Sequence, residues 1–540
     1  MQQTHDTNSL TDQAFEAWRD VLGDGQVDGP QEASRRYGMD TTGSQRRLAG
    51  ALRVVSEAQI QQVLRIANQH GRRLHPISTG RNWGYGTALP SGQDCTLIDL
   101  GGMRKILHFD RRFGVVTLEP GVTQEDLARF LDSEGLHYLV PVTGAGPKCS
   151  VLANALERGY GVTPYTDHFG AVTDLRAVMP DGSLYQGMLS EAAGTELGRL
   201  FRWGVGTYTQ GLFSQSGIGI VTQISIALAP RPEYLMACLF SVPREDLLGA
   251  AVKAVQQANQ RLGGTLGAIN LMNRHRMLSM SAPYPWDRLG PDGLIPKAVL
   301  EEMGRHHQIA PWTGFATLYG SKRMVRAAQA ELSSLLKGFA TRVLFITPQR
   351  AQSIARLARL IPGRAGTGLQ RLTGTLAKSL ELVAGRPNHT ALPLAYWRKR
   401  GEPPAGPDLD PGQDGCGLMW YAPLVPMHSD ATRDYADFVH QTTRPLGIEP
   451  LITFTSLGDR LFDSTVPILF DRADESACQR AEACLLELVR KGRERGFFPY
   501  RLPISAMGLL REFAPIASEF NRSLHRLHDP SDLLAPERYR

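Results

Sequence analysis

No apolar run in this chain is long enough to span a bilayer, which excludes a membrane-spanning helix from the reading. The first residues, MQQTHDTNSLTDQ, carry neither the basic start nor the apolar stretch of a secretory signal, so a soluble cytoplasmic protein with no membrane partner is expected. Cysteine is scarce. Cys95, Cys149, Cys238, Cys416, Cys478 and Cys484 show no CxxC pairing and no zinc spacing, which points to reduced, mostly buried thiols. Histidine adds no metal signal: His525 and His528 lack acidic or cysteine partners, and adjacent His306 and His307 point apart on a helix, so no metal is expected. A net charge of +6 is small for 540 residues, and no basic run is interleaved with aromatics, so nucleic acid is not an expected partner. A Walker loop is missing. The stretches GVGTYTQG and GIGIVTQ start like a dinucleotide fingerprint but lack its third glycine, and no GxSxG elbow occurs.

What is present is length and alternating texture. A chain of 540 residues exceeds what one hydrophobic core usually supports, so two domains are expected. One helix is possible around Asp12 to Leu22. Ser56 and Gln59 form a capping signal for a helix whose apolar side is Ile60, Val63, Leu64 and Ile66. Strands follow at Cys95–Leu100 and Gly114–Val122, and Thr123 can cap a helix through Leu131. This order implies an α+β fold rather than a strict βαβ series. A strand pair is joined at Pro180-Asp181-Gly182. Near residue 235 the texture changes to helices at Asp246–Leu262, Arg326–Lys337 and Ser476–Arg495, alternating with strands LITFTSL and VPILF. Residues 360–415 read as Pro/Gly-rich surface loops.

Small-residue stretches are the most informative feature. STGRNWGYG (Ser78 to Gly86), PVTGAGPKCSVLANA (Pro141 to Ala155) and SQSGIGIVTQ all fall in the first half. A backbone that approaches a diphosphate closely needs missing side chains, and consecutive N–H groups in tight turns make a concave anion site. A large phosphorylated cofactor lying along several loops is the physical reading, with Arg81 as an optional counter-charge.

PISTGRNWGYG resembles the first flavin loop of the vanillyl-alcohol oxidase and p-cresol methylhydroxylase family, which includes eugenol-oxidase-like members. The resemblance continues through SVLANALERGYGVTPYTDHFG, GLFSQSGIGIVTQI, WYAPLVP, PYR and DPSDLLAPERYR. It implies a two-part PCMH-type FAD-binding domain, residues 1–235 and 498–540, with an inserted α+β cap domain over residues 236–497. The implied FAD contacts are Pro76, Ser78, Thr79, Gly80, Arg81, Asn82, Trp83, Gly146, Ser150, Val151, Asn154, Gly161, Pro164, Gly219, Val221 and Arg538. In the family's tail an Ala-Pro-Gly-Arg/Lys pattern is usual; Ala535-Pro536-Glu537-Arg538 departs from it.

The resemblance also implies the chemistry: a para-substituted phenol, bound as phenolate, gives a hydride from its benzylic or allylic carbon to flavin N5 and becomes a quinone methide. Tyr85, Tyr500 and Arg501 match the family's phenolate-binding trio, and Asp167 its active-site acid/base. Trp83 is assigned to packing. The family's covalent histidine falls on Leu418 and the tyrosine of its methylhydroxylase branch near Asp410, so non-covalent FAD is expected, with a lowered potential suited to an easily oxidised substrate. Asp463-Ser464 replaces a histidine pair, leaving Asp463 as a substitute base, and Thr453 matches the oxidase branch. Expected partners are a small aromatic substrate, dioxygen or another electron acceptor, and a second copy in a homodimer. Rival readings are the same fold acting on a non-phenolic alcohol, amine or natural-product intermediate, and a non-catalytic flavin-binding protein.

Overall fold

The computed structural model describes residues 13–540 except 359–362, 402, 403, 405 and 407, and the backbone alone for 363–372. Three sheets organise the chain. The first has four strands in the order Val27–Asp28, Leu48–Arg53, Cys95–Asp99, Leu74–Ile77, and the last three run parallel. Parallel neighbours need a crossover, and the helix Glu57–His70 provides it. Ser56 Oγ accepts from Gln59 N at 3.3 Å, Gly71 closes the helix in the left-handed region, and Ile60, Val63, Leu64, Ile66 and Ala67 are the buried face. The C-terminal tail returns here: Leu74 N donates to Leu533 O, and Ala535 N to Leu74 O, both at 2.7 Å.

The second sheet is antiparallel, in the order Ile106–Asp110, Val115–Leu118, Ile220–Ala227, Val172–Val178, Leu184–Gln186. Thr123 and Asp126 form a reciprocal capping box for the helix Gln124–Ser133. Ser150 caps the short helix Val151–Leu156, so the small-residue region ends as a helix rather than a loop. The third sheet has nine strands, runs from Tyr234–Val242 to Phe498–Pro499, and is backed by helices such as Leu248–Arg261, Lys322–Leu336 and Glu475–Glu494. A shared buried cluster includes Ala51 and Leu97 of the first sheet with Phe240 and Phe454 of the third.

Two expectations need correction. Residues 360–415 are surface loop only in part: Gly401, Pro404, Gly406 and Asp408 are exposed, but Gly363–Val383 is a helix, and a 3-10 turn at Leu392–Tyr396 is buried together with Trp397. Proline and glycine mark where a chain turns, but the apolar residues between turns decide whether it is buried. Trp397 Nε1 donates to Ala282 O at 3.0 Å, which fixes this turn against the end of the helix Arg274–Ser281. The helix at 326–337 begins earlier, because Ser321 is its N-cap. Residues 13–22 are helical, and Asp12 lies outside the described residues. All six cysteines are free thiols. No described helix is long and apolar enough to cross a membrane.

Candidate active site

The loop between Ser78 and Gly86 is shaped by what crosses it. Gly84 has φ +75°, and a Cβ there would lie 2.3 Å from Trp420 Cδ1, so only glycine lets the loop pass beneath this indole. Gly84 N donates to Thr41 Oγ1 at 2.8 Å, and Gly84 O accepts from Trp420 N at 3.3 Å. Tyr85 N and Thr87 N both donate to Asn82 O, which curls the chain and turns Tyr85 inward. Trp83 is buried and its Nε1 donates to Ala145 O at 3.1 Å, a packing role that ties two of the small-residue stretches together.

These elements enclose a cavity of about 430 Å³ between the first two sheets and the third. Of the residues expected to hold the cofactor, Pro76, Ser78, Thr79, Gly80, Arg81, Asn82, Trp83, Ser150, Asn154, Gly219, Val221 and Arg538 line it. Gly146, Val151, Gly161 and Pro164 do not. Val151 follows Ser150 on a helix and so points elsewhere, into the apolar core of the second sheet. Gly146 packs against Leu392, and a Cβ on Gly161 would meet His168 Nε2 at 2.3 Å, so both are close-approach glycines behind the wall.

Tyr85, Tyr500 and Arg501 converge on the cavity, as does Asp463. The Arg501 guanidinium carbon stands 4.1 Å from the Tyr85 ring centroid, and Arg501 Nη2 hydrogen-bonds to Asn82 Oδ1. Tyr160 meets Tyr500 edge to face at 5.3 Å. Burial pushes the Tyr85 and Tyr500 hydroxyls well above the ordinary phenol range, so both stay protonated donors at neutral pH. Asp463 is buried; desolvation pushes its carboxyl up to about 7, opposed by a hydrogen bond with Tyr500. Its Oδ1 has no partner among the described residues.

Asp167 is the main correction. It is exposed, does not line the cavity, and its Oδ1 accepts from Gly170 N at 2.8 Å. A short polar side chain in a loop satisfies a nearby backbone N–H more readily than it reaches across a turn, so Asp167 closes an Asx-type turn behind Tyr160. Asp463 does line the cavity.

Reading the sequence also missed Glu157, Arg276 and the wall from Ala391 to Ala395. Glu157 lies 3.4 Å from Arg501 Nε and hydrogen-bonds to Arg538 Nη2, so one carboxylate serves two arginines. A helical reading of 151–156 would have found it, since it lies one turn beyond Asn154. Arg276 and Ala391–Ala395 carry no local signal, because only tertiary packing brings them here.

The wall fits a long anionic cofactor. Gly80 has φ +64° with Ala88 Cβ 3.2 Å from where its own Cβ would be, a backbone cradle closed to larger residues. Ser78, Thr79 and Ser150 add hydroxyls, and burial and Arg538 push the pKa of His75 down to about 3, so it is neutral. Ser78 to Trp83, Ser150, Asn154, Gly219 and Arg538 would hold FAD.

Residues 48–187 match a family described as FAD binding domain. Over 535 residues the chain is 30% identical to the 1'-carboxy-chondrochloren decarboxylase of Chondromyces crocatus, covering 98% of this chain and 97% of that protein. It is 24% identical over 496 residues to the flavoprotein subunit of the hydroxylating 4-cresol dehydrogenase of Pseudomonas putida, covering 91% and 87% of the two chains. The structure of p-cresol methylhydroxylase with substrate bound superposes with a TM-score of 0.86 at 22% identity, covering 98% of this chain and 97% of that one. The 4-ethylphenol oxidase of Gulosibacter chungangensis, in its isoeugenol complex, gives a TM-score of 0.86 at 21% identity with coverage of 98% and 97%. The chain belongs to the p-cresol methylhydroxylase-type family of FAD-dependent oxidoreductases.

Proposed function

We propose that this chain oxidises a para-substituted phenol at the carbon attached to the ring. The observation that carries the reading is the convergence of Tyr85, Tyr500, Arg501 and Asp463 on one cavity. FAD, when bound, supplies the two-electron acceptor that takes the hydride. Tyr85 and Tyr500 donate hydrogen bonds to the phenolate oxygen while Arg501 offsets its charge. An oxygen held as the anion pushes electron density through the ring to the para position, and the carbon attached there releases its hydride and becomes the exocyclic carbon of a quinone methide. Asp463 then takes the proton of the water that adds to the resulting quinone methide, a task suited to a carboxyl titrating near neutrality. Dioxygen or another acceptor completes the cycle.

A second reading is favoured by the similarity to a relative named as a decarboxylase. If the substrate's side chain bears a carboxylate one carbon beyond the benzylic position, the quinone methide can accept the electron pair of the C–COO⁻ bond. Carbon dioxide leaves, a side-chain double bond forms, and the phenolate is restored. The overall change is one hydride lost and one carbon dioxide released, with no water added.

Anaerobic mixing of the purified holoprotein with para-alkylphenols tests the phenol reading. Bleaching of the flavin band is expected with at least one of them and not with the matching methyl ethers; a panel without any bleaching refutes it. The flavin itself is read as non-covalent, because Leu418 is a buried cavity residue whose side chain forms no such bond. Acid precipitation is therefore expected to leave yellow colour in the supernatant, and colour retained by the pellet would contradict this.

A further inference from the structure

Four arginines line the cavity: Arg81, Arg276, Arg501 and Arg538. Three of them have a carboxylate nearby. Arg81 Nη1 lies 3.6 Å from Asp410 Oδ2, and Arg501 and Arg538 share Glu157. Arg276 differs. Among the described residues its guanidinium makes a single side-chain hydrogen bond, Nη1 to Ser279 Oγ at 3.3 Å, and its Nε is buried without a partner. Burial pushes its pKa down to about 10, with no acid acting against that shift, yet it remains charged at neutral pH.

A half-buried cation without counter-charge is costly to keep, so the fold must hold it there. The helix that carries it, Arg274–Ser281, is fixed at its start. Asn273 Oδ1 accepts from Arg276 N at 3.0 Å and Ile452 N at 3.1 Å, while Asn273 Nδ2 donates to Pro450 O at 2.7 Å. The adjacent His275 is buried, with Nε2 3.4 Å from Glu449 Oε2. These contacts attach the helix start to the segment entering the strand Thr453–Leu457, so Arg276 is presented by a rigid element. Leu392, Leu394, Ala395 and Leu418 are apolar residues of the same cavity wall.

We infer that Arg276 binds an anionic group, a carboxylate, on the side chain of the phenolic substrate. This rests on the phenol reading and narrows it: the preferred substrate carries its phenol at the Tyr85–Tyr500–Arg501 end and an acid at the Arg276 end. Desolvated guanidinium–carboxylate pairing is worth most where no water competes, and the Nε and Nη donors of arginine match a carboxylate in two-pronged geometry.

The test compares para-hydroxyphenylpropanoate with its primary amide, which keeps the shape and removes the charge. Anaerobic flavin reduction rate and spectral binding affinity are read for each, in the wild-type holoprotein, Arg276→Met and Arg276→Lys. The expected result is a wild-type preference for the acid of about tenfold or more, lost in Arg276→Met and partly kept in Arg276→Lys. Equal acid-to-amide ratios in wild type and Arg276→Met overturn the inference while reduction by both compounds leaves the phenol reading standing. A weakened hold on FAD in Arg276→Met with an unchanged ratio also overturns it, moving the arginine to the cofactor. If neither compound nor any alkylphenol reduces the flavin, the phenol reading fails and the inference with it.

Discussion

Replacing Asp463 with asparagine is expected to lower the turnover of a phenolic substrate by on the order of a hundredfold or more. The carboxyl is buried, bonded to Tyr500, and pushed up to about 7 by desolvation. A base of that pKa gives the wild type a rate that rises with pH through about 7 as the carboxylate forms, and the variant should lack that inflection. Stability supplies an independent measurement. The folded protein holds this proton well above the ordinary aspartate value of 3.8, whereas the unfolded chain releases it near that value. The unfolded state therefore binds fewer protons between about pH 4 and 7, so this group's contribution falls as pH rises across that window and is level above it. Thermal unfolding of Asp463→Asn should show a smaller loss of stability between pH 5 and pH 8 than wild type. An unchanged pH–rate profile together with an unchanged stability slope would remove Asp463 from the chemistry.

Arg501→Ala should cost on the order of a hundredfold or more in kcat/KM, the range seen when a donor to a developing oxyanion is removed. Arg501→Lys should recover only part of it. A lysine ammonium cannot reproduce a planar guanidinium lying 4.1 Å from the Tyr85 ring centroid while also reaching Asn82. Loss of Arg501 leaves Glu157 with Arg538, so the buried carboxylate keeps a partner and the variant is expected to fold. The decisive readout is the binding preference for a phenol over its methyl ether, which Arg501→Ala should abolish. Unchanged turnover in this variant would remove Arg501 from the chemistry, whereas no turnover in the wild type, with flavin binding the same in both proteins, would favour the non-catalytic flavin-binding reading.

The contrast between Asp167 and Asp463, both named from the sequence as proton-handling groups, shows where reading a sequence succeeds and where it stops. Asp167 sits in a motif, TPYTDHFG, whose local pattern resembles an acid/base site, but its carboxylate is satisfied three residues away by Gly170 N. Asp463 lies in an ordinary strand, Leu461–Phe470, where alternation of the side chains turns it to the cavity. Its altered pKa is a property of burial, and burial is not written in the strand itself. Arg276 makes the same point with a cation: nothing in NRHRMLSMS distinguishes it from Arg274, and only tertiary packing leaves it lining the cavity.

Local rules did decide much of the framework. Ser56, Thr123 and Ser150 start their helices as hydroxyl caps because each satisfies an N–H that the helix cannot. The glycines of STGRNWGYG mark a closely packed loop, with Gly80 on the cavity wall, because close approach and positive φ exclude side chains there. Caps, turns and strand alternation act over a few residues and can be read in order along the chain. Which acid is desolvated, which arginine lacks a counter-charge and which loop is buried depend on residues hundreds of positions apart, since desolvation and pairing are set by everything that surrounds a group in space. The sequence thus determined an FAD-binding α+β oxidoreductase frame and, through its motifs, much of the cavity lining, whereas the tertiary structure alone decided how the groups facing that cavity are buried and paired.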